Sequence, residues 1–282
     1  MEQIFKTIDL GDTVPFAKGG TGECYRLNEA TILKLYYEGF PVERILREKE
    51  GARTALIAGV PTALSFDMVQ VGKRQGVIYE FIQGRTLSEI VAQTPDRAEE
   101  LGGMFAGIAA MLHNAEVKKH NLPSPTAPIR LEIPKIDYVP EETVQHIIQF
   151  MDILDKDCHY VHGDFHPNNI IMTKDGPMLI DMGGFSLGNP IFDLATLRFN
   201  LFESPEALKD GRSSFNGLTR EETVKFWKGF EEEYFGGAID PAYAELLNKV
   251  TLLKKIRFER LYGSDYAEDY CAAIRKEVSE VF

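Results

Sequence analysis

Polar and apolar positions alternate with a period of two in the first third of this chain and with a helical period through most of the rest. Residues 16 to 36, FAKGGTGECYRLNEATILKLY, read as a strand, a glycine turn, a second strand, an Asn28-Glu29 turn and a third strand through Ile32, Leu33 and Leu35. Val42 to Ala58 places Ile45, Leu46, Ala52, Ala55 and Leu56 on an interrupted helical face, and Gly59-Val60-Pro61 stops it. Two strands follow, around Ala63 to Val71 and Gly76 to Ile82.

Beyond residue 84 the pattern predicts mainly helices. Thr94-Pro95 opens one whose buried face is Leu101, Met104, Phe105, Ile108, Met111 and Leu112, and Val144, Ile147, Ile148, Met151 and Leu154 mark another. Pro123, Pro125, Pro128 and Pro134 lie between them and predict an exposed irregular connection. A capping box from Thr219 to Glu222 starts a helix with Phe226, Trp227 and Phe230. Asp240-Pro241 starts the next, with Leu246, Leu247, Val250 and Leu253, and a last helix begins near Asp265. One interval breaks the helical pattern. Tyr160-Val161 forms a short strand, Ile170 to Met172 a second, and Asp175-Gly176 turns the chain into Met178, Leu179 and Ile180.

A chain of 282 residues with 44% hydrophobic content can bury two cores or one bilobal one. The division falls at residue 83, giving a small unit, 1–83, and a large one, 84–282. The N-terminus MEQIFKTIDLGD has neither the basic start nor the apolar stretch of a signal peptide, no apolar run reaches eighteen residues, and a cytoplasmic protein with no membrane partner is expected. Three cysteines without CxxC spacing suggest neither a disulfide framework nor a zinc site. Residues 1–83 carry 10 basic and 11 acidic side chains, the remainder 21 and 32. The acidic large unit disfavours nucleic acid and mildly favours a cationic partner, although solubility explains the same charge equally well.

Chemistry concentrates at the two ends of the predicted hairpin. Residues 162 to 169 read HGDFHPNN, and residues 180 to 183 read IDMG. Either fragment alone is an ordinary Asp/Gly turn. Together, H-G-D-x-x-x-x-N, a hairpin and I-D-x-G supply what phosphoryl transfer needs: Asp164 to receive an acceptor hydroxyl, and Asn169 with Asp181 to hold Mg²⁺ against nucleotide phosphates.

HGDFHPNN followed by IDMGG resembles the catalytic and metal-binding segments of the aminoglycoside phosphotransferase and choline kinase family, relatives of the protein kinases. The resemblance implies an α+β, bilobal protein-kinase-like fold, with a small antiparallel-sheet N-lobe that binds nucleotide and a mainly helical catalytic C-lobe. It implies ATP and Mg²⁺ as cofactors and a small-molecule hydroxyl acceptor that is aminoglycoside-, choline- or sugar-like. The Gly19, Gly20 and Gly22 loop would cover the phosphates and Lys34 would meet them, paired with Glu48 of the following helix, or with Glu50 as the runner-up. Glu80 and Ile82, in the linker from 80 to 84, would meet adenine through backbone atoms; otherwise this stretch is a sheet edge. Asp193 would brace the catalytic turn without taking part in the chemistry, and His162 would be a packed ring. Gly163 replaces the Arg of H-R-D, so no cation is expected beside Asp164. The short interval from Asp181 to Asp193 leaves no room for a long activation loop. A nucleotide-binding regulator with little turnover, or a protein kinase, would show much of the same pattern.

Overall fold

The structure, a computed structural model, describes residues 5–118, 122–208, 218–263 and 268–282. Two compact units share the chain: Met1–Gly84 with Ile171–Gly184, and Arg85–Ile170 with Phe185–Phe282.

The first unit is built on β1 (Lys6–Thr7), β2 (Ala17–Lys18), β3 (Gly22–Arg26), β4 (Thr31–Tyr36), helix α1 (Val42–Ala58), β5 (Ser65–Val71) and β6 (Arg74–Glu80). The sheet order is β1-β5-β6-β4-β3-β2, antiparallel throughout except that β1 runs parallel to β5. Alternation along the strands divides its faces. Tyr25, Leu33, Leu35 and Val69 form a buried cluster against which Ile8 and Leu10 pack, so Lys34, Tyr36 and Tyr79 take the opposite face. Gly22 is dictated by packing, since a Cβ there would lie 2.4 Å from the Leu35 carbonyl oxygen.

Helix α1 buries Ile45, Ala52 and Ala55 of the face the apolar pattern suggests, but rotates it away from Leu46 and Leu56 toward Glu48. Ile45, Glu48, Ala52 and Ala55 are buried, a spacing of three, four and three residues that keeps them on one side, while Leu46 and Leu56 are exposed. The charge of Glu48 is thereby carried into the interior. Gly59, at φ 87°, ends the helix in the left-handed conformation and donates to the Ala55 and Leu56 carbonyls.

The second unit begins with β7 (Arg85–Thr86) and α2 (Leu87–Gln93), a helix started by a Thr86-Glu89 capping box that the apolar pattern did not reveal. A 3-10 turn at Pro95–Arg97 leads into α3 (Ala98–His113). Helix α4 (Ala127–Glu132) lies within the proline-rich stretch, where an irregular connection was expected. Pro128 sits in its first turn, where no amide donor is needed, and Ile129, Ile133 and Ile136 are buried. Then come α5 (Glu141–Leu154) and β8 (His159–Val161). The hairpin of β9 (Ile170–Thr173) and β10 (Gly176–Leu179) falls almost wholly within the first unit. After it, β11 (Ser186–Gly188) pairs antiparallel with β8. Helix α6 (Ile191–Arg198) runs into a π-helical turn at Phe199–Glu203, followed by α7 (Pro205–Leu208), α8 (Arg220–Phe235), α9 (Pro241–Tyr262) and α10 (Glu268–Val281). The expected start of the last helix, Asp265, lies outside the described residues. Among the described residues no helix is long and apolar enough to cross a membrane.

Helices α3 and α8 approach until their backbones almost touch. A Cβ on Gly102 would lie 1.9 Å from the Phe226 carbonyl oxygen, and one on Gly229 1.8 Å from that of Glu99. Leu101, Phe105, Ile108 and Leu112 fill the buried side of α3, leaving Met104 and Met111, both predicted core residues, exposed outside that stripe. The two helices position the turn after β8 through Phe105, whose ring stacks on buried Phe165 at 4.4 Å. Gly102→Ala is expected to cost about 1–3 kcal/mol by forcing the helices apart. Gly107→Ala, on the same helix but facing open space, should gain about 0.5–1 kcal/mol. Thermal unfolding of the two variants should therefore shift in opposite directions.

Candidate functional site

Within the first unit, the Lys34 ammonium lies between two carboxylates, 2.7 Å from Glu48 Oε1 and 3.1 Å from Asp181 Oδ1. Three elements meet there. Lys34 comes from the middle of β4, Glu48 from the buried face of α1, and Asp181 from the turn after β10. Glu50 points elsewhere, toward Arg53 at 3.7 Å on the exposed side. The Tyr79 hydroxyl also donates to Glu48 Oε1, at 3.3 Å. Lys34 and Glu48 keep only 15% and 10% side-chain exposure, and Asp181 keeps 41%, so the cluster opens on the Asp181 side. Burial pulls the Lys34 ammonium down, but Asp181 and Glu48 more than offset it and hold the group above the usual lysine value. Burial likewise pushes the Glu48 carboxyl up, opposed by Lys34.

Asp181 is the one non-glycine residue with positive φ, 62°, among the described residues. Such a backbone costs energy and persists only where surroundings impose it. Here α1 packs on the 3-10 turn Met182–Gly184 that follows: a Cβ on Gly183 would lie 3.6 Å from Glu48 Cβ.

The three glycines of the β2–β3 turn play unequal parts. Gly19 N–H donates to the Gly22 carbonyl at 2.9 Å and closes the β2–β3 hairpin, whereas Gly20 faces open space. In the linker, Glu80 N–H is already taken by the Leu64 carbonyl at 2.9 Å. Gly84 lets the linker pass β9, since a Cβ would lie 2.4 Å from the Met172 carbonyl oxygen.

Within the second unit, Asp164 and Asn169 are brought together by the turn after β8. Asn169 Nδ2 donates to the Asp164 carbonyl at 2.9 Å and approaches its Oδ2 at 3.3 Å. Buried His166 completes the cluster, with Nε2 3.1 Å from Asn169 Nδ2 and 3.4 Å from Asp164 Oδ2. The Asp164 side chain remains 48% exposed. Burial raises the Asp164 carboxyl, but His166, and after it Lys254 and His162, hold it below the usual carboxylate range.

Asp193 ties the turn down from α6. Its two oxygens accept from the His162 and Gly163 amides, both at 2.8 Å, and its Oδ2 also contacts His113 Nε2 at 3.1 Å. Gly163, at φ 82°, supplies the backbone conformation that presents both amides. His162 is fully buried, and its Nδ1 accepts from Asp164 N–H at 3.3 Å. Among the described residues no group of three or more His, Cys, Asp or Glu side chains is placed to hold a metal by itself.

Two residues of this turn's surroundings carried no sequence signal. His113 ends the α3 stripe and bonds to Asp193 and, at 2.7 Å, to the Tyr234 hydroxyl. Lys254 sits on α9, where helical spacing reported only burial, and its charge acts on Asp164. No motif arginine stands beside Asp164, and the lysine whose charge acts on it lies ninety residues downstream. The Asp193 contacts predict that Asp193→Asn, which weakens three hydrogen bonds to a buried charge, lowers stability by about 2–3 kcal/mol. An unchanged urea midpoint would show that the turn does not depend on them.

The sequence profile described as the phosphotransferase enzyme family matches residues 12–227. No curated protein matches the sequence. Among solved structures, an amicoumacin kinase in complex with AMP-PNP, Ca²⁺ and Ami superposes with a TM-score of 0.63 at 17% identity, covering 98% of this chain and 90% of that one. An aminoglycoside-3'-phosphotransferase of type VIII gives 0.56 at 18% identity, covering 85% and 93%. A choline/ethanolamine kinase family protein from Mesorhizobium loti gives 0.59 at 16%, covering 96% and 88%. The fold, an antiparallel N-terminal sheet followed by a mostly helical region, is the one these kinases share. With more than half its length matched by the profile, this chain belongs to the phosphotransferase enzyme family.

Proposed function

We propose that the protein transfers the γ-phosphoryl group of ATP to a hydroxyl of a small molecule. The observation that carries this is the Lys34 ammonium held by Glu48 and Asp181. A lysine kept charged beside a carboxylate on an open side is suited to the phosphates of a nucleotide. Gly19, Gly20 and Gly22 would shelter those phosphates, and the linker through Glu80 and Ile82 would border the base. Glu80 contributes there through its carbonyl, its amide being engaged.

Asp181 and Asn169 are the residues that would hold Mg²⁺. Their chemistry fits: Asp181 spends only Oδ1 on Lys34, and Asn169 turns its amide nitrogen to Asp164, which leaves one oxygen on each. When bound, the ion neutralises charge on the phosphate oxygens. Asp164 orients the acceptor hydroxyl through Oδ1, while Asn169 and His166 fix Oδ2. Held below the usual carboxylate range, Asp164 is a weak base, so the hydroxyl proton moves to it late, as a loose transition state allows. Gly163 and Asp193 keep the turn in place during this step.

The interval from Asp181 to Asp193 contains a 3-10 turn, β11 and the start of α6, leaving no length for a regulatory loop, which favours a small molecule over a protein substrate. Structures similar to this one include an amicoumacin kinase and an aminoglycoside phosphotransferase in complex with ADP and streptomycin, which supports a small-molecule acceptor. The three free cysteines agree with a cytoplasmic location.

Coupled ADP release with Mg²⁺-ATP and a panel of hydroxylated acceptors tests the proposal. Asp164→Ala should reduce acceptor-dependent ADP release by at least about 10²-fold while sparing ATP affinity by calorimetry. Lys34→Ala should weaken ATP binding itself. ATP binding with no acceptor-dependent ADP from the wild type would favour a nucleotide-binding regulator instead.

A further inference from the structure

Lys254 stands apart from the cations around it on α9. Lys255 pairs with Glu203 at 3.1 Å, and Arg257 with Glu132 at 2.9 Å. Lys254 has no carboxylate within ion-pair distance among the described residues. Its Nζ donates to Thr196 Oγ1 at 3.1 Å, a hydroxyl that in turn donates to the Phe192 carbonyl at 2.9 Å. Thr196 is buried and lies one turn beyond Asp193 on α6, so the contact aims the ammonium from the helix that braces the catalytic turn.

An ammonium has three donors and this one uses a single neutral acceptor. Burial pulls Lys254 below the usual lysine value; Asp164 opposes this, Arg257 adds to it and Asp193 opposes it. Both carboxylates act on Lys254 without pairing with it, and both are engaged elsewhere, Asp193 by two amides and His113, Asp164 Oδ2 by Asn169 and His166. A half-buried cation with spare donors, held by Thr196 one turn beyond Asp193, is accessible to an anion that arrives with the acceptor.

We propose that Lys254 is a specificity-determining residue that binds a carboxylate or phosphate carried by the acceptor, close to the hydroxyl that Asp164 orients. The inference rests on the phosphotransferase function proposed above and names its substrate class: an acidic hydroxylated small molecule rather than a polycationic one. The acidity of the large unit does not oppose this. Exposed charges are screened beyond about 8–10 Å, whereas the half-buried Lys254 would act by direct contact.

Two measurements on the full-length protein decide it. In the first, lysines are reductively ¹³C-methylated, the Lys254 resonance is assigned with Lys254→Arg, and the Mg²⁺-ADP complex is titrated with D-glycerate or inorganic phosphate, with glycerol and choline as controls. A saturable shift with an anion and none with the controls is expected. A response to glycerate alone assigns a carboxylate, and to phosphate alone a phosphorylated acceptor. No response to either anion overturns the proposal, as does a response only to aluminium fluoride with Mg²⁺-ADP, which would assign the ammonium to the transferred phosphoryl group.

In the second, ADP release is followed with hydroxy acids and their primary amides as matched acceptors. Lys254→Gln should raise KM for the acids by about tenfold, leave the amides unchanged and alter kcat little, and Lys254→Arg should retain wild-type preference. An equal loss for acids and amides overturns the proposal in favour of a structural role. If the wild type releases no ADP with any acceptor, the phosphotransferase assignment falls by itself, and a missing NMR response separately removes the anion site.

Discussion

An ammonium withdrawn from water must be matched by carboxylates, and the first unit is arranged around that demand. Lys34 lies at the middle of a six-stranded sheet, on the face opposite the Tyr25, Leu33, Leu35 and Val69 cluster. Helix α1 answers by burying Glu48 in line with Ile45, Ala52 and Ala55, and the turn after β10 answers with Asp181 in a conformation that an L-residue adopts at a cost. Removing either carboxylate would leave the lysine short of compensation. Removing the lysine would leave two like charges facing each other, which is more costly than its absence from an apolar core.

The second unit solves the complementary problem, a carboxylate that must satisfy backbone donors. Asp193 accepts from the His162 and Gly163 amides, and His113, itself fixed by Tyr234, closes the set. This arrangement requires α3 and α8 to lie close enough for His113 and Tyr234 to meet, which Gly102 and Gly229 make possible. A helix crossing without side chains at its centre thus bears on the orientation of Asp164, through Phe105 stacked on Phe165 and through His113 on Asp193.

Local chemistry was legible wherever a residue's role is set by its immediate neighbours in the chain. The HGDFHPNN turn, the Asp175-Gly176 hairpin, the Thr219 capping box and the Asp240-Pro241 helix start all encode short-range geometry, and the structure contains each of them. Helix α2 shows the limit of that legibility: its Thr86-Glu89 box is as local as the others, but seven residues give too short an apolar period to mark it. Helix α4 was obscured because prolines were taken as breaks, although Pro128 occupies the one turn of a helix that tolerates it.

The sequence by itself determined the family and most of the strands and helices in their order, because these depend on residue type and on spacing along the chain. Which face of α1 turns inward, and with it the choice of Glu48 over Glu50, was decided only by the tertiary structure, because apolar periodicity allows either side while Lys34 accepts just one. The same holds for His113 and Lys254, which lie 80 residues before Asp193 and 90 after Asp164. No periodicity or motif connects positions so far apart; packing of α3, α6 and α9 does, since a buried charge is positioned by what surrounds it in space.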